Sequence, residues 1–562
     1  MLALLACFSV QAACQSAPAR TAPDGPELHP PVSGAAAAPP PSLIVLITVD
    51  QFRGDYLDRF APQLHGGLAR LSRGGAWFTN AHHDHAITET APGHATLLAG
   101  RFPRSTGIVA NRVGVEDPAA PLLGAPATTP GASPKRFQGT TLVDWLRAKD
   151  SRSRALSVSM KDRGAILPVG RSVADVYWYY PDGRFTTSTY YRASLPDWVN
   201  AFNARRMPQN LAGKSWTLLL ADSAYKEADS VSVEAGGRNF LFPHPIPGDS
   251  AGAASAIRTS PWMDEITLDF ALAGLNALSL GEPSRTDVLA ISLSATDYVG
   301  HSFGPDSREM HDNVLRLDRN LGVFFDSLFK LRDSSRIAVV LTADHGVGTI
   351  PELATSVTPP PVRVDQLALA SILRGAVAAE GIDSTLVAFD WQTVLANRSS
   401  VKMDTRALDR ALDDFSRRAR KIPGVSRVDR FRDLLRADTV KDPIARRWVH
   451  QFPANTNVQL VITLTPFSIF SGIVATHGSP RDYDSNVPLV FAGPWFAPGR
   501  YTEFVRTVDL APTLAEIAGV KPEQGRAGAV PRSWAGSGAR ARGRALSPVQ
   551  RSRCRRRSVG SP

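Results

Sequence analysis

LIVLITVD, residues 43–50, opens the folded part of this chain. LIVLITV is an unbroken apolar and β-branched run. That is the pattern of a strand buried on both faces of a parallel sheet. Similar runs recur at TDVLAISLS (286–294), RIAVVLTA (336–343), VQLVITL (458–464) and VPLVFAG (487–493). Helical patterns alternate with them. In residues 307–330, Met310, Val314, Leu317, Leu321, Phe324 and Leu328 repeat at helical spacing. In TVDLAPTLAEIAGV (507–520), Asp509 suits the N-cap and Gly519 the C-cap. Strand–helix alternation predicts an α/β fold, with a central, mostly parallel sheet sandwiched by helices.

Around that body the chain changes character. Residues 1–14, MLALLACFSVQAAC, form an apolar run ending in small residues, as an export leader does. The missing basic n-region is expected to lie upstream. Val10-Gln11-Ala12 fits a signal-peptidase site, and residues 11–14 resemble a lipoprotein box that would anchor Cys14 to lipid. Residues 15–42 are a stiff Pro/Ala-rich linker. The catalytic body is expected over 43–522. Its Tyr-, Trp- and Pro-rich stretch 165–260 reads as a cap of substrate-side loops. Residues 351–470 read as a small α+β insertion, in which an amphipathic helix, a turn at Pro423-Gly424 and a strand occupy 406–431. The tail 523–562 reads as a disordered terminus, an RNA- or membrane-binding arm or a shifted reading frame, the last favoured by the abrupt change of composition.

Charge and cysteine exclude several functions. The chain of 562 residues has a formal net charge of +11, but residues 525–562 hold ten Arg, no Lys and no acid. Without them 53 basic residues face 52 acidic ones, so the body is nearly neutral and no nucleic-acid partner is expected. Cys7, Cys14 and Cys554 all lie outside the body, so neither disulfides nor thiolate metal sites hold it. No later segment has the ~20 apolar residues of a spanning helix. A monomer working in the periplasm, secreted or anchored at the outer membrane, is expected.

The residues that carry chemistry lie in six segments: TVD (48–50), TETAPGH (88–94), MKDRG (160–164), SATDYVGH (294–301), TADHG (342–346) and ATHGS (475–479). Asp50, Asp297 and Asp344 follow strands, at the C-terminal ends where sites form in open α/β folds. His301 stands four residues after Asp297, on one helical face, while His345 and His477 sit in the loops. Carboxylate oxygen and imidazole nitrogen are the donors that zinc takes while keeping a position open for substrate. Thr90 begins a helix whose start Pro92 favours, where the dipole and free N–H groups suit an alkoxide and a bound phosphate. Lys161 and Arg163 point the same way if their segment is extended, giving two cations for phosphate oxygens. Asn111 adds a neutral donor. His82-His83-Asp84-His85 reads as loop structure near the site, His94 as support for the Thr90 turn, and His311 as surface or packing.

These segments resemble the alkaline phosphatase superfamily, and within it the PafA-like bacterial phosphatases that use threonine. The resemblance covers residues 43–522, and YWYYPDGRFTTSTYYRASLPDWVNAFN (177–203) is similar to that family's substrate-side region. It implies an alkaline-phosphatase-like fold and two zinc ions, one held by Asp50, Asp344 and His345 and the other by Asp297, His301 and His477. Thr90 is implied as the nucleophile between them, forming a phosphothreonine. Asn111, Lys161 and Arg163 are implied as holders of the phosphoryl oxygens. The substrates implied are small phosphate esters. The Lys-x-Arg pair favours monoesters over the diesters used by related phosphodiesterases. Thr90 stands where sulfatases need a modified Cys or Ser. A metal- or polyanion-binding protein without turnover is the rival reading.

Overall fold

The computed structural model describes residues 38–398, 400 and 403–522. The leader, most of the linker and the Arg-rich tail lie outside the described residues. LIVLITV forms the strand Leu43–Val49, at the centre of a ten-stranded sheet. Five central strands run parallel, in the order Ile337–Thr342, Leu43–Val49, Asp287–Leu293, Ala155–Ser159 and Asp175–Tyr180. Asn486–Ala492 pairs antiparallel with Ile337–Thr342 and joins it to Ala76–His82. Arg184–Thr186 closes the other edge antiparallel. The sheet is therefore mostly parallel, as the continuous apolar runs require.

Side chains of one strand alternate between two cores. Leu43, Val45, Ile47 and Val49 enter one, with the helices Trp262–Ala277 and Arg308–Leu331. Ile44 and Leu46 enter the other, with Thr90–Leu97, Leu142–Lys149 and Leu510–Ala518. Ser307 caps the long helix, its hydroxyl accepting from the Met310 N–H. Gly519 ends the last helix in the left-handed region, at φ 67°.

Two expectations need correction. Part of the 165–260 stretch is sheet rather than cap, because Asp175–Tyr180 and Arg184–Thr186 extend the main sheet. Tyr177 and Tyr179 enter one core while Val176 and Trp178 enter the other. Large aromatics on both faces hide the alternation that would reveal a strand. VQLVITL, which reads like a main-sheet strand, instead forms Val458–Leu464 inside the insertion. There it pairs antiparallel with Thr393–Ala396 and Val425–Arg430 in a separate four-stranded sheet. Its apolar residues serve both faces: Leu460 and Ile462 face the helices Gln366–Ala379 and Thr405–Ala419, while Val458 and Val461 face the helix Pro443–Gln451.

Candidate active site

Strand register brings the chemistry together. Thr48 lies level with Ser292 on one side and Thr342 on the other, so three strands end at one edge. Asp50, Asp297 and Asp344 leave from that edge. Ser159 is level with Ser292, which carries Lys161 to the same place. All three aspartates are buried, with Asp50 and Asp344 at 0% exposure. One carboxylate or imidazole atom each from Asp50, Asp344 and His345 lies within 4.8 Å of the others. Asp297, His345 and His477 meet the same limit. His301 Nε2 is 3.3 Å from Asp297 Oδ1 and 3.2 Å from His477 Nε2, so the sequence-expected trio also converges. The His345 and His477 rings stack at 3.5 Å, placing the two groups side by side.

Thr90 is the first residue of its helix and is buried. The helix approaches Asp344 closely because residue 93 is glycine. A Cβ there would lie 2.2 Å from the Asp344 carbonyl oxygen. His94 Nδ1 lies 2.9 Å from the Thr90 carbonyl and 3.1 Å from Asp344 Oδ2, and its Nε2 lies 2.8 Å from Ser292 Oγ. That ring ties the helix start to two strand ends. Asn111 accepts the Ala91 N–H at 2.8 Å through its side-chain oxygen.

Lys161 stands in the middle. Its Nζ is 2.6 Å from Asp50 Oδ2, 2.5 Å from Asp297 Oδ2 and 3.4 Å from Thr90 Oγ1. Burial opposes its charge, but Asp297 and Asp50 outweigh that and hold its pKa above the ordinary value. Burial, with Asp297 and Asp344 nearby, pushes the Asp50 carboxyl well up. Burial pushes His345 well down, so it is a neutral imidazole with a lone pair to donate. The Lys161–Arg163 segment is not extended. Lys161 is the N-cap of the helix Asp162–Ile166, and Arg163 lies inside its first turn. Arg163 has Asp162 as an ion-pair partner at 3.6 Å, and its buried Nε makes no hydrogen bond among the described residues.

Three carboxylates and three imidazoles thus gather at one place, with the Lys161 ammonium against two of the carboxylates. Asp50 Oδ1 and His345 Nε2 are buried without a hydrogen-bond partner among the described residues. An orphaned carboxylate oxygen facing an orphaned imidazole nitrogen fits divalent cations as ligands.

Several of the other histidines have structural partners, though both ring nitrogens of His85 lack a hydrogen-bond partner among the described residues. His83 lies 2.8 Å from the Ala343 carbonyl, and Asp84 pairs with Arg446 and Arg506. The 82–85 cluster does follow a strand, Ala76–His82, but it pins loops together. His311 is buried in packing rather than at the surface, held by Glu227 and Gln63.

Sequence reading missed several contributors. Gln51 donates its N–H to Asp344 Oδ1 at 3.1 Å and its side-chain NH2 to Asp297 Oδ1 at 2.9 Å. Its φ of 64° makes that double reach possible. Its adjacency to Asp50 is the signal available in the sequence. Glu89 accepts the Asn111 N–H at 2.6 Å. Asp484, pushed up to about 6 by burial, accepts from the Ser479 backbone and hydroxyl and so shapes the His477 loop. Nothing in the local sequence marks either acid.

The model of the family described as type I phosphodiesterase / nucleotide pyrophosphatase matches residues 44–418. Alkaline phosphatase PhoV of Synechococcus elongatus is 32% identical over 87% of this chain and 92% of its own length. Alkaline phosphatase PafA of Elizabethkingia meningoseptica is 31% identical over 88% and 94%. The crystal structure of wild-type PafA superposes with a TM-score of 0.79 at 29% identity, covering 87% of this chain and 98% of that one.

Proposed function

The chain belongs to the type I phosphodiesterase / nucleotide pyrophosphatase family and is a phosphate monoester hydrolase, and we propose that it acts with two zinc ions through a phosphothreonine on Thr90. The observation that carries this reading is the position of Lys161. One buried cation faces both carboxylate groups and the Thr90 hydroxyl. A phosphate bound there meets the Thr90 oxygen on one side and the cations Lys161 and Arg163 on another.

Asp50, Asp344 and His345 would hold the ion beside Thr90, and Asp297, His301 and His477 the ion beside the leaving oxygen. When bound, the ions lower the pKa of an attacking oxygen and take up charge on a leaving one. Thr90 Oγ gives up its proton to solvent and attacks phosphorus, and the bond from phosphorus to the ester oxygen breaks. The departing oxygen takes its proton from water. Water then attacks the phosphothreonine, releasing inorganic phosphate and restoring the Thr90 hydroxyl. Lys161, Arg163 and the Asn111 amide spread the equatorial charge of a loose transition state. His94 positions Thr90 through its carbonyl and orients Asp344.

Monoesters fit better than diesters because a dianion has one more charged oxygen for the Lys161–Arg163 pair. We assign the work to the cell envelope on the strength of the apolar leader 1–14. The test is metal content of the purified protein, hydrolysis of p-nitrophenyl phosphate with and without chelator, and mass spectrometry of acid-quenched protein. Zinc, chelator-sensitive turnover and phosphate on the Thr90 peptide are expected. Turnover by Thr90→Ala at the parent rate would sink the covalent step.

A further inference from the structure

A cavity of about 520 Å³ opens beside His301. His301 has a side chain 34% exposed, against 4% for Asp297 and 6% for His477. It is therefore the face of that trio that looks outward. Under the function proposed above, the trio stands on the side of the leaving oxygen, so the cavity lies where the leaving group goes.

The lining has a definite chemistry. Trp216, Phe303 and Ile473 supply apolar wall from three separate parts of the chain. Among its polar residues Arg238 and Asn239 are both exposed, in a turn where Ala235, Gly236, Gly237 and Asn239 have φ of 48°, 63°, 78° and 52°. No acidic side chain lines the cavity among the described residues. Arg238 makes no ion pair or side-chain hydrogen bond there either. An unpaired guanidinium beside an apolar wall suits a flat apolar body with an anion at its far end. Arg binds carboxylate or phosphate in a fork, and an aromatic wall favours a ring.

We propose that this cavity receives the leaving group, and that the preferred monoesters carry a ring bearing a second anionic group. The proposal rests on the hydrolase reading and adds a substrate class to it. The test uses methyl phosphate, phenyl phosphate and 4-carboxyphenyl phosphate on the parent enzyme, Arg238→Ala and Ile473→Trp. Arg238→Ala should lower the ratio of kcat/KM for 4-carboxyphenyl over phenyl phosphate about tenfold, the loss of one charge-assisted contact. Ile473→Trp should lower the ratio of either aryl ester over methyl phosphate. On the parent enzyme, 4-hydroxybenzoate should inhibit more strongly than phenol, a readout that needs no variant. Unchanged ratios in Arg238→Ala, or equal inhibition by the two phenols, would overturn the proposal while leaving the hydrolase intact. A parent that hydrolyses none of the three esters sinks the hydrolase reading first.

Discussion

Lys161 links two of the site's carboxylates to its threonine. A buried ammonium is unfavourable unless carboxylates face it, and Asp50 and Asp297 do. The same ammonium touches Thr90 Oγ1 at 3.4 Å, which under the proposed mechanism puts it beside the phosphoryl oxygens. Replacing both Lys161 and Arg163 by Ala is expected to lower monoester kcat/KM on the order of 10²–10³-fold, and diester kcat/KM far less. Equal losses on bis-p-nitrophenyl phosphate and p-nitrophenyl phosphate would defeat the monoester assignment. The pair was legible as two cations in MKDRG, but its geometry was not. A helix begins at Asp162, so the two side chains leave from a cap and a first turn rather than one face of a strand. For Gln51 the sequence offered only its adjacency to Asp50. Its role depends on a left-handed backbone that no local pattern demands.

At the scale of elements, the site depends on the helix Thr90–Leu97 lying against the end of Ile337–Thr342. Gly93 permits that approach, since a Cβ would meet the Asp344 carbonyl oxygen at 2.2 Å and its Cβ at 2.7 Å. Gly93→Ala must shift the helix or the loop, which typically costs about 1–3 kcal/mol and moves Thr90 relative to Asp344. Activity should fall more than about tenfold, since a shift of an ångström is enough. Parent-like kcat/KM on p-nitrophenyl phosphate would show that the contact is slack. The insertion has its own anchor. The Asp84 carboxylate is buried, and Arg446 at 2.9 Å and Arg506 at 2.8 Å converge on it, with Arg447 further off at 3.8 Å. Asp84→Asn leaves those guanidinium groups facing a neutral amide. A loss of roughly 3 kcal/mol in urea unfolding is expected, at the low end for a broken buried pair because Arg446 and Arg506 are partly solvated. An unfolding midpoint equal to the parent's would remove Asp84 from this role.

For the whole molecule, one buried acid away from the catalytic cluster sets a pH response. Glu234 is pushed up to about 8 by burial, with Glu309 and Asp229 adding repulsion. Its unfolded value is 4.5, so the folded chain holds that proton more tightly. Stability from this group is present at low pH and is lost as pH rises from about 5 through about 8, then levels off. Glu234→Gln removes the dependence. The variant should gain on the parent by about 1–2 kcal/mol between pH 5 and pH 9, read from unfolding curves. A constant difference across that range would rule the titration out.

The chain's own sequence determined three of the five central parallel strands, the long Ser307-capped helix and the insertion's helix–turn–strand at 406–431, because burial on both faces and helical spacing leave local marks. It also named the three strand-end aspartates, the histidines and Thr90, whose residue types suit cations and phosphate wherever they meet. Only the tertiary structure decided that they do meet, through a strand register that aligns Thr48 with Ser292 and Thr342. Tertiary packing likewise assigned Tyr177 to the main sheet and VQLVITL to the smaller one. A run of apolar residues reports that its surroundings are dry, but not which sheet or helices exclude the water.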